Sequence, residues 1–242
     1  MDLLHLTADN IDSSHAWFSR LGGVSPAPFD SLNVSQNVGD KPENVIINRR
    51  RCLESLKLDP AKLIFAGELA HSDKVFSATA KDAGKDLAGY DAIITNVADL
   101  PIGLSTADCL SIFMESTSPK AIAVVHVGWR GLQAGIIGNV VQLLEQTYGV
   151  DPSHLTAAIG PSIGPKSYQV GPEVVSHFDD DLVNRSEDTA YLDLWRGAER
   201  QLDEAGVMTV DNLEIDTFRD KHFFSFRREE SKTGRQLAVI SL

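Results

Sequence analysis

Short, continuous apolar runs recur along the chain, and each has a length typical of a buried strand. Because polar residues do not alternate with apolar ones inside these runs, we predict strands that are covered on both faces of a sheet. The runs lie at residues 63–66, 92–97, 111–114, 121–127 and 155–159.

Helical spacing appears between these runs. Residues 42–56 place apolar side chains at three- and four-residue steps behind Pro42, a residue suited to the first turn of a helix. Further helices are predicted at 132–148 and 192–205, which end before Gly149 and Gly206. Near the end of the chain, residues 222–227 and 236–242 predict two strands joined by a turn at residues 232–234.

The strands and helices interleave, but their connections are too irregular for a regular series of βαβ units. We therefore predict a layered α/β sandwich with mixed sheet. A chain of 242 residues with 43% hydrophobic content can bury a sizeable core, and no break in composition divides it. We expect a single domain over residues 1–242.

Charge and cysteine content limit the classes of partner. A formal net charge of −12 opposes binding to a phosphate backbone, so we expect no nucleic-acid partner. No apolar run approaches the roughly 20 residues of a membrane helix, and the first ten residues do not have the pattern of a signal peptide. Cys52 and Cys109 are expected to be free thiols in a cytoplasmic protein that has no membrane partner.

The run at 121–127 carries the first chemical signal, because it contains His126 and leads into a glycine-bracketed turn with Arg130. Ligands commonly bind at strand ends in layered α/β folds, where turns and helix N-termini present backbone donors. Arg130 could hold an anion there. A core histidine beside a surface arginine is the structural alternative for this segment.

Cys109 precedes the run at 111–114 with Asp108 beside it, and His71 follows the run at 63–66. Alone, each residue is more often structural than functional. Together, one cysteine and two histidines suit Zn²⁺ with a fourth position open for water or substrate. We predict a catalytic zinc site at His71, Cys109 and His126, although their long, irregular spacing does not establish it.

Motifs spread over nearly the whole chain resemble the YfiH-like laccase-domain family. In order they are LGGVS at 21–25, SLN at 31–33, NVGD at 37–40, NR at 48–49, TADC at 106–109, HVGWRG at 126–131, IGPSIGP at 159–165, YQVG at 168–171, FSFR at 224–227 and TGR at 233–235. The resemblance implies a cytotoxic necrotizing factor-like fold and metal ligands at His71, Cys109 and His126.

The same resemblance implies a purine nucleoside phosphorylase with adenosine deaminase activity, with adenosine, inosine and methylthioadenosine as substrates. The family has also been labelled a multicopper polyphenol oxidase. Multicopper oxidation needs many histidine ligands, often in close pairs, and the seven histidines here are scattered. We therefore expect zinc rather than copper. The family usually has Gln-Val before its first histidine, whereas this chain has Leu69-Ala70.

The expected chemistry assigns further residues. Arg49 and Arg130 are candidates to bind phosphate, because a planar guanidinium contacts two phosphate oxygens at once. Asn33 is a candidate for a hydrogen bond to ribose or base. Zinc base deaminases use an H-x-E glutamate, which is absent here, so Asp108 or Glu68 would carry the proton. For Arg49 the structural alternative is a solvated helix position.

Three other interpretations stay open at the level of sequence. Cys109 and His126 could form the nucleophile pair of a metal-free cysteine hydrolase. The chain could be a copper-dependent polyphenol oxidase. It could also be a non-catalytic partner protein of envelope assembly or cell division. Trp129 and Tyr168 could stack on a purine, although large aromatic residues near glycine turns are more often packing residues. Arg227, Arg228 and Arg235 are of interest only through the family resemblance, which gives them no specific role.

Overall fold

Two six-stranded sheets form the centre of the molecule in a computed structural model that describes residues 3–242. Met1 and Asp2, which begin the segment expected to lack a signal peptide, lie outside the described residues. The helices are α1 (Pro42–Ser55), α2 (Trp129–Gln133), α3 (Ile136–Tyr148), α4 (Pro172–Val175) and α5 (Leu194–Glu204). The strands are β1 (His5–Leu6), β2 (Ser14–Phe18), β3 (Ile64–Glu68), β4 (Val75–Ser77), β5 (Asp86–Ala88), β6 (Ala92–Thr95), β7 (Ile102–Thr106), β8 (Leu110–Thr117), β9 (Lys120–Val127), β10 (Leu155–Ile159), β11 (Gln169–Val170), β12 (Val183–Arg185), β13 (Ala190–Leu192), β14 (Thr209–Asn212) and β15 (Gln236–Ser241).

Both large sheets are mixed, as the sequence predicted. The first has the order β1-β2-β15-β7-β3-β5, in which β3 runs parallel to β5 and β7. The second has the order β14-β10-β8-β9-β6-β4, in which β10 runs parallel to β14 and β4 parallel to β6. A small third sheet joins β11, β13 and β12.

The sheets pack face to face, with helices on their outer faces. Ile102 and Ile240 of the first sheet meet Phe113 and Val124 of the second in the central core. On the outside of the second sheet, α3 and α5 add a second core, and α1 covers the outside of the first sheet. The central strands of each sheet are thus covered on both faces, in agreement with their continuous apolar runs.

The hairpin of β8 and β9 is the element that positions the predicted site. Its register pairs Ser111 with His126 and Leu110 with Val127. Cys109 directly precedes β8, so the antiparallel pairing brings it beside His126 although 17 positions separate them in the sequence. The apolar runs at 111–114 and 121–127 therefore predicted the scaffold of the site correctly.

Three predicted elements need correction. The helix predicted at 132–148 is two helices, α2 and α3, because Gly135 adopts φ 75° between them. The helix predicted at 192–205 begins at Leu194, since Leu192 pairs in β13 and the Asp193 side chain accepts a hydrogen bond from the Arg196 backbone N–H. The predicted strand at 222–227 is wrong, because this segment folds as turns, whereas β15 confirms the strand predicted at 236–242.

Arg228 explains why the segment around 222–227 is a turn region. Its guanidinium donates to the backbone oxygens of Phe218 (3.2 Å), Asp220 (3.2 Å) and Phe223 (2.6 Å), and also to Thr217. These bonds satisfy carbonyls that a strand ladder would otherwise use, so the turns stay ordered. Within residues 3–242, no helix has both the length and the apolar character needed to cross a bilayer.

We predict that Arg228→Ala lowers the free energy of unfolding by about 2–3 kcal/mol, because a charged donor to several carbonyls is lost. Arg219→Ala is the control, since that side chain is 65% exposed and its ion pair with Asp216 spans 3.5 Å. The control should change stability by less than about 1 kcal/mol. Urea unfolding of both variants measures the difference, and equal losses would contradict the role of Arg228.

Candidate active site

The three predicted metal ligands lie together in space. One ligand atom from each of His71, Cys109 and His126 falls within 4.8 Å of the other two. The two imidazole rings meet edge to face, with centroids 4.9 Å apart. The chain therefore brings one sulfur and two imidazole nitrogens to a single point from three separate segments.

Gly128 leaves the space between these ligands free. A β-carbon at this position would lie 3.1 Å from His71 Nδ1 and 3.2 Å from Cys109 Sγ. Contacts this short would force the ligands to move, so the glycine after β9 keeps the centre of the cluster open.

Asp91, which the sequence did not single out, connects two of the ligands. Its fully buried carboxylate accepts a hydrogen bond from His126 Nδ1 at 2.9 Å and from the His71 backbone N–H at 2.9 Å. It also accepts from the backbone N–H and the hydroxyl of Ser72, each at 2.8 Å. Because Nδ1 of His126 carries the proton for this bond, Nε2 is left as the ligand atom.

The same carboxylate stabilises an uncommon backbone conformation. His71 has φ 54°, in the left-handed region that costs a non-glycine residue about 1–2 kcal/mol. Asp91 holds the N–H groups of His71 and Ser72 in that conformation, and this directs the imidazole of His71 toward Cys109.

The electrostatics of the cluster favour a thiolate. Burial opposes ionisation of Cys109, but the charge of His126 and hydrogen bonds from His126 and His71 outweigh it and lower the pKa of the thiol to about 6. Burial also opposes the charged form of His126, but Cys109 and Asp91 raise the pKa of this imidazole to about 9. By contrast, burial raises the pKa of the Cys52 thiol.

This donor set fits a zinc ion. A thiolate and two imidazoles suit zinc, and a histidine that donates its other ring N–H to a carboxylate is the usual outer arrangement of a metal-ligating histidine. Three protein ligands leave one tetrahedral position open, which is typical of catalytic rather than structural zinc sites.

The cluster lies in the wall of a cavity of about 310 Å³, called here the main cavity. Its volume falls in the range of about 300–1,000 Å³ that is typical of small-molecule sites. Aromatic and cationic side chains make up much of the remaining wall: Trp129, Tyr168, Phe226, Arg130, Arg227 and Arg235.

The three arginines of the main cavity have no acidic partner. Within residues 3–242, no carboxylate oxygen lies within 4.0 Å of their guanidinium groups, whereas eight other arginines form such pairs. Instead, each lies over an aromatic ring: Arg130 over Trp129 (4.2 Å), Arg227 over Tyr168 (5.3 Å) and Arg235 over Phe226 (5.3 Å). A protein of net charge −12 thus places three arginines without ion-pair partners in one cavity, which they share with Asp108 and Cys109.

The predicted substrate residues separate into two groups. Arg130 lines the main cavity, but Arg49 does not: its guanidinium lies 3.8 Å from the centre of the Phe65 ring and pairs with Asp86. Asn33 is fully buried, and its amide is used within the protein, in part by donating to Ser35 O and Asp40 Oδ2. Both side chains are thus engaged within the protein and neither lines the main cavity, so their roles toward substrate stay predictions.

The two acidic candidates for proton transfer also differ in position. Asp108 lines the main cavity, and its two oxygens accept from Thr217 Oγ1 and the Arg227 backbone N–H, both at 2.7 Å. Glu68 is exposed and lines a smaller neighbouring cavity. Asp108 is therefore the acidic side chain of the main cavity.

Solved structures have the same fold. YlmD from Geobacillus stearothermophilus superposes with a TM-score of 0.93 at 30% identity, covering 100% of this chain and 96% of that chain. YfiH from Bacillus licheniformis gives a TM-score of 0.90 at 28% identity, covering 94% and 92%. The layered α/β architecture is thus the YfiH-like fold that the motifs implied.

Residues 14–242 match the family described as multi-copper polyphenol oxidoreductase laccase, and the chain belongs to this laccase-domain family. The purine nucleoside phosphorylase of Haemophilus influenzae is 35% identical over 232 residues, covering 92% of this chain and 91% of that protein. The purine nucleoside phosphorylase YfiH of Escherichia coli is 31% identical over 233 residues, covering 93% and 91%.

We predict that Cys109 of the metal-free protein reacts with iodoacetamide as a thiolate. Because its pKa is lowered to about 6, the rate should fall as the pH decreases through 6 and level off above it. Cys52, which is fully buried, should stay unmodified in the folded protein, and added Zn²⁺ should protect Cys109. Peptide mass spectrometry against pH measures both sites, and a midpoint above pH 8 would contradict the ion pair.

We also predict that Asp91→Asn weakens zinc binding about 10–100-fold, because the orientation of His126 and His71 is lost. Glu115→Gln is the matched control: Glu115 is likewise a buried carboxylate that accepts from backbone N–H groups, but it does not line the main cavity. Competition with a chromophoric chelator gives the zinc Kd of each variant. Equal affinities for Asp91→Asn and wild type would show that this carboxylate is dispensable.

Proposed function

We propose that the chain is a zinc-dependent purine nucleoside phosphorylase. It would convert adenosine, inosine and methylthioadenosine with phosphate to the free base and ribose 1-phosphate, or the methylthio sugar phosphate, and it would also deaminate adenosine. The observation that carries this proposal is the presence of three arginines without acidic partners, aromatic rings and the His-Cys-His cluster in one cavity. The names of the relatives from Haemophilus influenzae and Escherichia coli support it.

Phosphorolysis sets clear demands on such a cavity. A phosphate oxygen forms a bond to C1′ of the sugar while the C1′–N9 bond breaks and its electron pair leaves with the base, which takes up a proton. Both phosphate and leaving base carry negative charge, so positively charged groups stabilise the transition state. Arg130, together with Arg227 and Arg235, supplies that charge in our proposal.

Purine recognition falls to the aromatic side chains. Trp129, Tyr168 and Phe226 line the main cavity and offer ring faces on which a purine can stack. We propose that His71, Cys109 and His126 hold zinc, which supplies Lewis-acid activation at its open position when bound. Asp108 is our candidate for proton transfer, because a carboxylate that already accepts two hydrogen bonds retains further lone pairs.

The expected setting of the enzyme follows from its charge and substrates. Purine nucleosides and inorganic phosphate are metabolites of the cytoplasm, where we place the protein. We propose no nucleic-acid or membrane partner, and one domain over residues 1–242.

One rival function has an observation in its favour. The thiolate of Cys109 beside a protonated His126 is also the activated nucleophile of a cysteine hydrolase. Asp91, however, orients both histidines toward the same sulfur. A nucleophile pair needs only one histidine, whereas three side chains that bind one metal ion need both. Copper-dependent polyphenol oxidation is less suited, since the described residues offer one three-donor cluster rather than several.

We expect purified protein to contain zinc. It should release free base from adenosine, inosine and methylthioadenosine only when phosphate is present. It should also form inosine from adenosine in the absence of phosphate. His126→Ala and Cys109→Ala should lower both rates by at least about 100-fold. Cys52→Ser serves as the matched control and should keep wild-type rates, since Cys52 is a buried residue of α1 in the core outside the first sheet and does not line the main cavity. Chromatographic analysis of the products measures the release of free base and the formation of inosine, and metal quantitation measures the zinc content.

Two results would decide against this function. Hydrolytic activity that survives chelation but is lost in Cys109→Ala would establish the metal-free hydrolase. The absence of any product under every metal loading would favour a non-catalytic partner protein.

A further inference from the structure

A second, smaller cavity of about 210 Å³ adjoins the main cavity and is called here the side chamber. The two cavities share four lining residues, Leu69, His71, Ser105 and Arg235, so they meet along this common wall. The rest of the side chamber includes Ser35, Asn37 and Glu68. A ligand bound at the junction would therefore lie next to the metal cluster without filling the main cavity.

Arg235 is held at this junction with much of its guanidinium free. Its Nη1 donates to the backbone oxygens of Thr233 (3.0 Å) and Gly234 (2.9 Å), and the side chain of Asn33 accepts from its backbone N–H at 3.0 Å. Within residues 3–242, Nε and Nη2 make no hydrogen bond to the protein. Arg130 and Arg227 are exposed, whereas Arg235 is partly buried, so its charge is the least screened of the three.

Ser105 provides an independent observation at the same place. The residue is only 4% exposed and lines both cavities, and its hydroxyl makes no hydrogen bond to the described part of the chain. Ser105 is the penultimate residue of β7, where pairing with Leu237 of β15 fixes its backbone. Ser111 and Ser116 also have unpaired hydroxyls, but neither lines the main cavity or the side chamber.

We propose that Arg235 and Ser105 form a subsite for inorganic phosphate at the junction of the main cavity and the side chamber. A guanidinium whose Nε–H and Nη2–H groups are free binds two oxygens of a tetrahedral oxyanion, and a serine hydroxyl donates to a third. Glu68 is the acidic side chain of the side chamber, and its exposure lets solvent screen its charge.

This assignment rests on the proposed phosphorylase function and makes it more specific. With phosphate at the junction, the main cavity is left for the purine, and C1′ of the sugar lies between the two. Arg235 then carries the phosphate contact, while Arg130 and Arg227 surround the nucleoside.

Calorimetric titration of the zinc-loaded enzyme with inorganic phosphate tests the subsite. Arg235→Gln should weaken the phosphate Kd by about 10–100-fold, and Ser105→Ala by about 2–10-fold, because a charged and a neutral donor are lost. Two controls should keep the phosphate Kd within about twofold of wild type, because neither side chain lines the main cavity or the side chamber. Arg51→Gln removes an arginine that has no acidic partner and lies outside both cavities, and Ser116→Ala removes an unpaired hydroxyl away from them.

Two further experiments distinguish the possible causes of phosphate binding. Repeating the titration after chelation should preserve the dependence on Arg235, which excludes simple attraction of phosphate to the metal. If Arg235→Gln fails to fold by circular dichroism, Arg235→Lys replaces it and should bind phosphate more weakly than wild type, since it keeps the charge but loses the two-pronged contact.

Three outcomes would overturn the subsite. The first is wild-type phosphate affinity in the Arg235 variant, and the second is loss of affinity only in Arg130→Gln or Arg227→Gln. The third is adenosine 5′-monophosphate binding more tightly than adenosine through Arg235, which would make the junction a nucleotide 5′-phosphate site. Phosphate binding that depends on Arg235 without phosphorolysis of any nucleoside would instead refute the proposed function and leave the subsite standing.

Discussion

One buried carboxylate sets the geometry on which the candidate site depends. Asp91 is removed from solvent, and a charge in that position is tolerated only because four donors surround it. Those donors belong to the loop of His71 and to the strand of His126, so a single group fixes two ligands relative to each other. The β8–β9 hairpin then adds Cys109 through backbone pairing alone.

Much of the scaffold could be predicted because its signal is local. Continuous apolar runs indicate strands that are covered on both faces, and they occur in β3, β6, β8, β9 and β10. The glycine after α3 indicates where that helix ends. The break at Gly135 could not be predicted, since a glycine within a helical pattern is often tolerated. The aromatic segment at 222–227 resembled a strand because its turns depend on Arg228 and on carbonyls up to 11 positions away.

The candidate site was less predictable, because its contacts are long-range. Family motifs and ligand chemistry identified His71, Cys109 and His126, but no local pattern marks Asp91 as their partner. Asn33 and Arg49 were expected to touch substrate, since a sequence does not reveal which polar groups are already satisfied within the protein. Asn33 instead accepts a hydrogen bond from the backbone N–H of Arg235, 202 positions away along the chain, a contact that no local pattern reveals.

A substitution at Gly128 would change the space between the ligands of the cluster without removing any ligand. Its backbone angles, φ −88° and ψ 176°, are ordinary for any amino acid, so alanine would fit the chain there without distortion. One added methyl group would nevertheless press on the sulfur and an imidazole nitrogen at once. Such a protein would retain every donor atom of the cluster, but the sulfur and the imidazole would have to shift by a few tenths of an ångström, so the spacing of the donors would change while their chemistry stayed the same.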